Sequence, residues 1–109
     1  MLELWQTEWC PASHRVRQRL TELGVDYITR QVPVEHENRD ALRAAAGTDT
    51  IPALVLEEGP ALVGEAEIGS WLDDRLTEPA EAESHRLKAA KARRRYLEEE
   101  CTCLQPVTH

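Results

Sequence analysis

The chain has no phenylalanine, a single methionine and few aromatic residues of any kind, 5% of the total. A core must therefore be assembled from Leu, Val, Ile and Ala, with help from three tryptophans. Lysine is scarce, so arginine carries most of the positive charge, and 13 basic residues face 20 acidic ones for a formal net charge of −7. A general nucleic-acid binder needs a basic face to neutralise phosphates, and this balance argues against one. Also missing is any apolar run near the roughly 20 residues that span a bilayer. The N-terminus shows neither the basic nor the apolar region of a signal peptide. No membrane partner is expected, and the expected location is cytoplasmic. Three cysteines, an odd count with two crowded near the end, do not form the framework of a disulfide-stapled secreted domain. At 109 residues there is room for one domain with a real core and not for a second folding unit.

What is present is organised around Thr7-Glu8-Trp9-Cys10-Pro11-Ala12-Ser13. It lies between a short apolar run, Leu2 to Trp5, and a segment whose Val16, Leu20 and Leu23 recur at helical spacing. Pro11 suits the first position of that helix, where a missing N–H costs nothing. Cys10 then stands at the helix N-terminus. The unpaired N–H groups and the positive end of the helix dipole there favour a thiolate over a thiol. A cysteine so placed titrates below the free value of about 8.5. His14, Arg15 and Arg17 add positive charge within two turns. A buried structural cysteine is the alternative and ranks second, because a strand-to-helix turn exposes its residues more often than it buries them.

Read in order, Leu2 to Trp5 is a first strand and Pro11 to Leu23 a first helix, closed by Gly24 as its C′ residue. Val25, Tyr27 and Ile28 begin a second strand that runs to Val32, before Pro33. Strand, helix and strand form a right-handed crossover with parallel strands. Asn38 can cap a second helix, Arg39 to Ala46, and His36 falls in the solvated loop before it. Ile51 to Leu56 is a third strand, and the turn Glu57-Glu58-Gly59-Pro60 leads to a fourth, Ala61 to Val63, as a hairpin. After Gly64, Glu65 to Leu76 forms a third helix with Ile68, Trp71, Leu72 and Leu76 on one face. Pro79 separates it from a last helix, Ala80 to about Glu100, whose thin apolar stripe is Leu87, Ala90 and Leu97. Residues 101–109 read as a tail, which carries Cys101-Thr102-Cys103.

This order of elements, with Cys-Pro-Ala-Ser at the first helix and Thr50-Ile51-Pro52 opening the third strand, resembles the glutaredoxin-like branch of the thioredoxin superfamily and the N-terminal domain of glutathione S-transferases. The resemblance covers about residues 1 to 76. It implies an α/β, thioredoxin-like fold: a four-stranded mixed sheet in the order β-α-β-α-β-β-α, flanked by helices. Residues 1–78 would form that domain, 79–100 a C-terminal helical extension and 101–109 a tail. The resemblance further implies that the Ile51–Pro52 bond is cis and that the backbone of Ile51 pairs with the cysteinyl part of glutathione. The γ-glutamyl end would lie at Gly64-Glu65-Ala66-Glu67. Related transferases usually have Glu-Ser there, so Ala66 removes one side-chain hydrogen bond to the ligand carboxylate, while the N–H groups of the helix start remain. Trp9 and Arg30 complete the ligand-binding set, with Arg30 and Arg39 as candidate cations for a ligand carboxylate.

Where a dithiol glutaredoxin has a resolving cysteine, this chain has Ser13. The implied chemistry is monothiol. Cys10 attacks a mixed disulfide, and the adduct is released by a second low-molecular-weight thiol, glutathione or another. Pro11 and Ser13 join Cys10 as the catalytic set, Ser13 by donating a hydrogen bond to the thiolate. The site is not the Cys-Gly-Phe-Ser of cluster-carrying glutaredoxins, and no metal is expected. Disulfides or S-thiolated proteins would be the substrates. Conjugation of electrophiles is not expected, because it needs an all-helical second domain. The competing reading is a non-catalytic binding module that uses the groove beside Pro52. Cys101 and Cys103 stay unassigned, either as soft-metal ligands short of a full set or as a distant resolving pair.

Overall fold

The computed structural model describes residues 1–94. Its elements run β1 (Leu2–Gln6), α1 (Pro11–Leu23), β2 (Tyr27–Gln31), α2 (Asp40–Ala46), β3 (Ala53–Val55), β4 (Leu62–Val63), α3 (Glu65–Arg75) and α4 (Ala82–Arg93), with one 3₁₀ turn at His36–Asn38. The sheet order is β2-β1-β3-β4. β1 and β2 are parallel, in register from Leu2↔Tyr27 to Gln6↔Gln31. β3 runs antiparallel to both β1 and β4. This is the mixed four-stranded α/β sheet of a thioredoxin-like fold.

Alternation along β1 separates two layers, since successive side chains of a strand point to opposite faces. Leu4 and Leu54 face the helix pair α1 and α3, where they pack with Val16, Leu20, Leu23, Ile68 and Leu72. On the other face Trp5, Val32 and Ala53 pack against Leu42 of α2. Leu4, Leu20, Leu54, Ile68 and Leu72 are fully buried. Each such side chain contributes about 1.5–3 kcal/mol relative to exposure, which makes this layer the main source of stability.

α1 lies where the sequence puts it, from Pro11 to Leu23, and ends on Gly24, whose φ of 70° is left-handed and whose N–H closes the last turn. Other boundaries shift for identifiable reasons. α2 begins at Asp40, and Asn38 does not cap it, because His36–Asn38 is taken up by the 3₁₀ turn and Arg39 occupies the cap position. β3 begins at Ala53, two residues late, because Pro52 has no N–H to pair and its carbonyl instead accepts from Gly64 N, 2.8 Å away, at the start of α3. α4 starts at Ala82, and its packing edge differs from the expected stripe: Ala82 is buried, whereas Leu87 is 62% exposed. Leu97, the expected helix end near Glu100 and the tail cysteines lie outside the described residues.

What fixes α4 is charge. Glu22, on α1, has an 8% exposed side chain and accepts from Arg19 at 2.9 Å, Arg86 of α4 at 3.2 Å and Gln18 at 3.1 Å. Arg19 also reaches Asp73 of α3 at 3.1 Å and Glu78 at 3.3 Å, and Arg86 bonds Glu78 as well. One network therefore ties three helices and the connecting segment. Burial alone would raise the pKa of Glu22, but its bonds from Arg19, Gln18 and Arg86 outweigh that and hold it below the ordinary 4.5.

Leu54→Ala should cost about 2–5 kcal/mol in urea unfolding, the range for emptying a fully buried leucine site. The depressed Glu22 carboxyl stabilises the fold above its ordinary value and loses that contribution as pH falls through the lower folded value. Thermal unfolding against pH should accordingly show a steep acid limb below about pH 4.5 that Glu22→Gln flattens, while lowering stability at neutral pH.

Candidate active site

Cys10 is the N-cap of α1, with φ −79° and ψ 118°, an extended residue whose carbonyl already accepts the first helical bond from His14 N at 3.0 Å. Its sulfur takes the role that a Ser or Asp oxygen plays at most caps and accepts from Ser13 N at 3.4 Å. Pro11, at the first helical position, leaves no donor unsatisfied. The thiol is half-buried and free. Burial pushes its pKa up. The hydroxyl of Ser13, the N–H groups of Ser13 and Ala12 and the charge of Arg15 together push it down, and the net direction is down from 9.0.

Ser13 is fully buried, and its Oγ makes no well-formed hydrogen bond among the described residues. A buried hydroxyl without a partner is costly. It lies near enough to Cys10 to favour the charged sulfur.

The loop before Cys10 is held by Arg17, which the sequence offered only as positive charge near the sulfur. Arg17 bonds the Gln6 side chain, the Thr7 carbonyl at 3.4 Å and Glu8 at 3.3 Å, reaching back across the turn from β1. Gln6 is itself buried and donates to Gln31 at 3.2 Å. This polar chain locks the end of β1 to α1 and so sets where Cys10 stands. The signal was only that the polar Gln6 follows the apolar Leu4 and Trp5 at the end of the first strand.

Two helix starts are joined beside the sulfur. Arg15 makes a bidentate pair with Glu65, Nε to Oε2 at 2.6 Å and Nη2 to Oε1 at 2.9 Å. Glu65 is the first residue of α3, and Gly64 before it bonds Pro52, whose peptide bond with Ile51 is cis as expected. Cys10, Pro11, Ser13, Glu65 and Pro52 thus belong to one connected unit. Ala66 lines a shallow concavity between α1 and α3 beside Arg15 and Glu65. Glu67 accepts from Val63 N at 3.1 Å and so completes the turn into α3. Ile51 packs in the layer on the α2 side.

The candidate cations lie elsewhere. Arg30 pairs with Glu3 at 3.1 Å across β1 and β2. Arg39 is 2% exposed and donates to the carbonyls of Pro33, Val34 and Asp49 at 2.8–3.0 Å, which makes it the organiser of the loops around α2 and unavailable to a ligand.

Cys10 opens onto a groove of about 1190 Å³ between α1 and α4. Trp9, Cys10, His14 and Gln18 line one wall, with Arg86, Ala89, Ala90 and Arg93 on the other. Trp9 is 62% exposed. No helix among the described residues is long and apolar enough to cross a membrane.

Fold and site together define a thioredoxin-like domain with a cysteine at the start of its first helix and a cis proline before β3. A family model for the N-terminal domain of glutathione S-transferases matches residues 9–75, and the chain belongs to that family. Among solved structures, it is similar to a glutathione S-transferase domain-containing protein of Marinobacter aquaeolei VT8, 26% identical with a TM-score of 0.59, covering 84% of this chain and 50% of that one. Rice GST1, solved in complex with glutathione, is 26% identical with a TM-score of 0.58 over 84% of this chain and 44% of its own. The buckwheat glutaredoxin in its glutathione complex shares the fold, at 20% identity and a TM-score of 0.53 over 82% of this chain and 78% of its own. The chain spans about half the length of these two transferases. No curated protein matches it.

Ser13→Ala removes the hydroxyl and keeps the backbone N–H. The pH profile of Cys10 alkylation should then move upward, with a several-fold slower reaction at neutral pH and little change in unfolding midpoint.

Proposed function

We propose that the protein is a small glutaredoxin-like thiol-disulfide oxidoreductase working by a monothiol mechanism. The observation that carries this reading is the half-buried Cys10 sulfur at the start of α1, its pKa lowered, beside the buried and unpartnered Ser13 hydroxyl. Such a thiol is a good nucleophile near neutral pH and also a good leaving group, and both are needed for exchange.

In the first step the Cys10 thiolate attacks the small-thiol sulfur of a mixed disulfide. A bond forms from Cys10 to that sulfur, the old S–S bond breaks, and the substrate leaves as a thiolate that takes up a proton. A second small thiol then attacks the adduct sulfur, leaves as the small-molecule disulfide and returns the Cys10 thiolate. Ser13 and the helix start stabilise the charged sulfur at the beginning and end of this cycle. Glutathione is the favoured small thiol, because the rice transferase and the buckwheat glutaredoxin were both solved with it. Trp9, Ile51 and Pro52, with the α3 start at Glu65, Ala66 and Glu67, would hold it. Arg30, paired to Glu3 on another part of the sheet, is the weakest member of the expected set.

One observation favours the binding-module reading: Glu65, which would meet the ligand ammonium, is already engaged by Arg15. Steady-state reduction of a glutathionylated peptide separates the two. Wild type should turn it over, and Cys10→Ser should fall to the uncatalysed background with its circular dichroism unchanged. Turnover retained in Cys10→Ser, or absent from wild type, overturns the enzyme reading.

A further inference from the structure

We propose that Arg17, Gln6 and Gln31 are positioning residues for Cys10: a hydrogen-bond chain of fixed polarity, starting at the exposed end of β2, sets the turn before α1 and with it the seat of the sulfur on the helix start. This rests on Cys10 acting as the nucleophile, as in the function proposed above.

The polarity of the chain follows from donor and acceptor chemistry. A guanidinium has donors only. Arg17 therefore takes the amide oxygen of Gln6, and the Gln6 NH2 group points the other way. That group donates to Gln31, Nε2 to Oε1 at 3.2 Å, so Gln31 must in turn present its oxygen. Gln6 is only 1% exposed, and an amide turned donor to donor against Arg17 would leave buried groups unpaired. Its backbone is pinned as well, since its carbonyl accepts from Val32 N at 3.2 Å.

At its other end the chain reaches the residue that carries the sulfur. The carbonyl of Thr7, a residue 4% exposed, accepts from Arg17 Nη1 at 3.4 Å and from Cys10 N at 3.4 Å. Arg17 lies about two turns along the helix that Cys10 caps, so its guanidinium ties that helix to the segment entering it. The contact from Ser13 N to the sulfur, 3.4 Å long, weakens if the turn shifts or tilts. Arg15 favours the thiolate directly, by charge. Arg17 is turned to the loop instead, and its bonds go to Gln6, Thr7 and Glu8. Gln31 stands on the edge strand, exposed and outside the groove onto which Cys10 opens. Its influence on the sulfur must pass through Gln6 and Arg17.

The test follows Cys10 alkylation against pH by peptide mapping, with circular dichroism to check the fold, in wild type and three variants. Gln31→Lys puts donors where the chain needs an acceptor, Gln31→Glu keeps an acceptor, and Arg17→Lys keeps the charge but loses the planar fork. The profile should move upward in Gln31→Lys and Arg17→Lys, with alkylation at neutral pH at least about three-fold slower, and stay in place in Gln31→Glu. A through-space effect of charge has the opposite sign at position 31, where Lys would favour the thiolate and Glu oppose it. That result overturns the inference, and so do profiles that coincide in all four proteins. Because Gln31 is exposed, its two variants keep the fold and decide the matter even where Arg17→Lys does not fold. Turnover of a glutathionylated peptide by wild type is measured alongside. Turnover with coincident profiles leaves the oxidoreductase reading standing and removes this one, whereas no turnover by wild type removes both.

Discussion

Everything proposed for this protein depends on one contact, that of the Cys10 sulfur with the open N-terminus of α1. A helix start holds donors that no residue of the helix can satisfy, and a thiolate is a larger and more weakly hydrated acceptor than the oxygen usually found there. The arrangement works only if the sulfur is fixed in place. Two features fix it: Pro11, which presets the first helical residue, and Arg17, which clamps the preceding loop to the helix through Gln6, Thr7 and Glu8. The same helix buries Val16, Leu20 and Leu23 in the main core. Stability of the core and position of the sulfur are therefore one property, because displacing α1 would displace both.

The second organising feature is the use of arginine. With lysine nearly absent, planar guanidinium groups link separate elements: Arg15 joins α1 to α3, Arg19 and Arg86 join α1 to α3 and α4, and Arg39 gathers three carbonyls around α2. Several donors per side chain let one residue bridge several partners at once, which a lysine cannot do with fixed geometry. An acidic chain gains from this. Its excess carboxylates would repel one another, and here many of them are instead distributed around a small number of bridging cations.

The parts of the fold that could be read from the sequence were those set by local chemistry. Pro11, Gly24 and the spacing of Val16, Leu20 and Leu23 specify α1 without reference to the rest of the chain, and the hairpin and α3 follow from Gly59, Pro60 and Gly64 in the same way. What could not be read depends on partners distant in sequence. Arg39 and Arg30 looked alike as surface cations, and only tertiary structure distinguishes a buried loop organiser from an exposed strand-pair ion bridge. The packing edge of α4 was misread for a related reason. Apolar periodicity pointed to Leu87, but the helix is held by the small Ala82 and by the charge of Arg86, a pattern to which a hydrophobic stripe is blind. The site was legible at Cys10 and Pro52 because each sits in a motif. The supporting residues Arg17 and Gln6 belong to none.

The Arg15–Glu65 pair looks at first like an obstacle to ligand binding, since it engages a carboxylate that a γ-glutamyl ammonium would need. Its exposure argues otherwise. The two side chains are 58% and 39% exposed, so each is largely hydrated whether paired or not, and an exposed, solvent-screened pair of this kind is readily given up. The amino-acid end of a small thiol such as glutathione carries one ammonium and one carboxylate. Inserting it between Arg15 and Glu65 would replace one exposed ion pair by two, with the ammonium on Glu65 and the carboxylate on Arg15, and no charge left unmatched. Ala66 then matters less than its departure from Glu-Ser suggests. The hydrogen bond lost with the missing hydroxyl would be offset by a guanidinium fork, which suits a carboxylate better than a hydroxyl does. On the function proposed above, the pair would act in the free protein as a placeholder that keeps both charges satisfied and spaced for the ligand, while Arg15 favours the thiolate of Cys10.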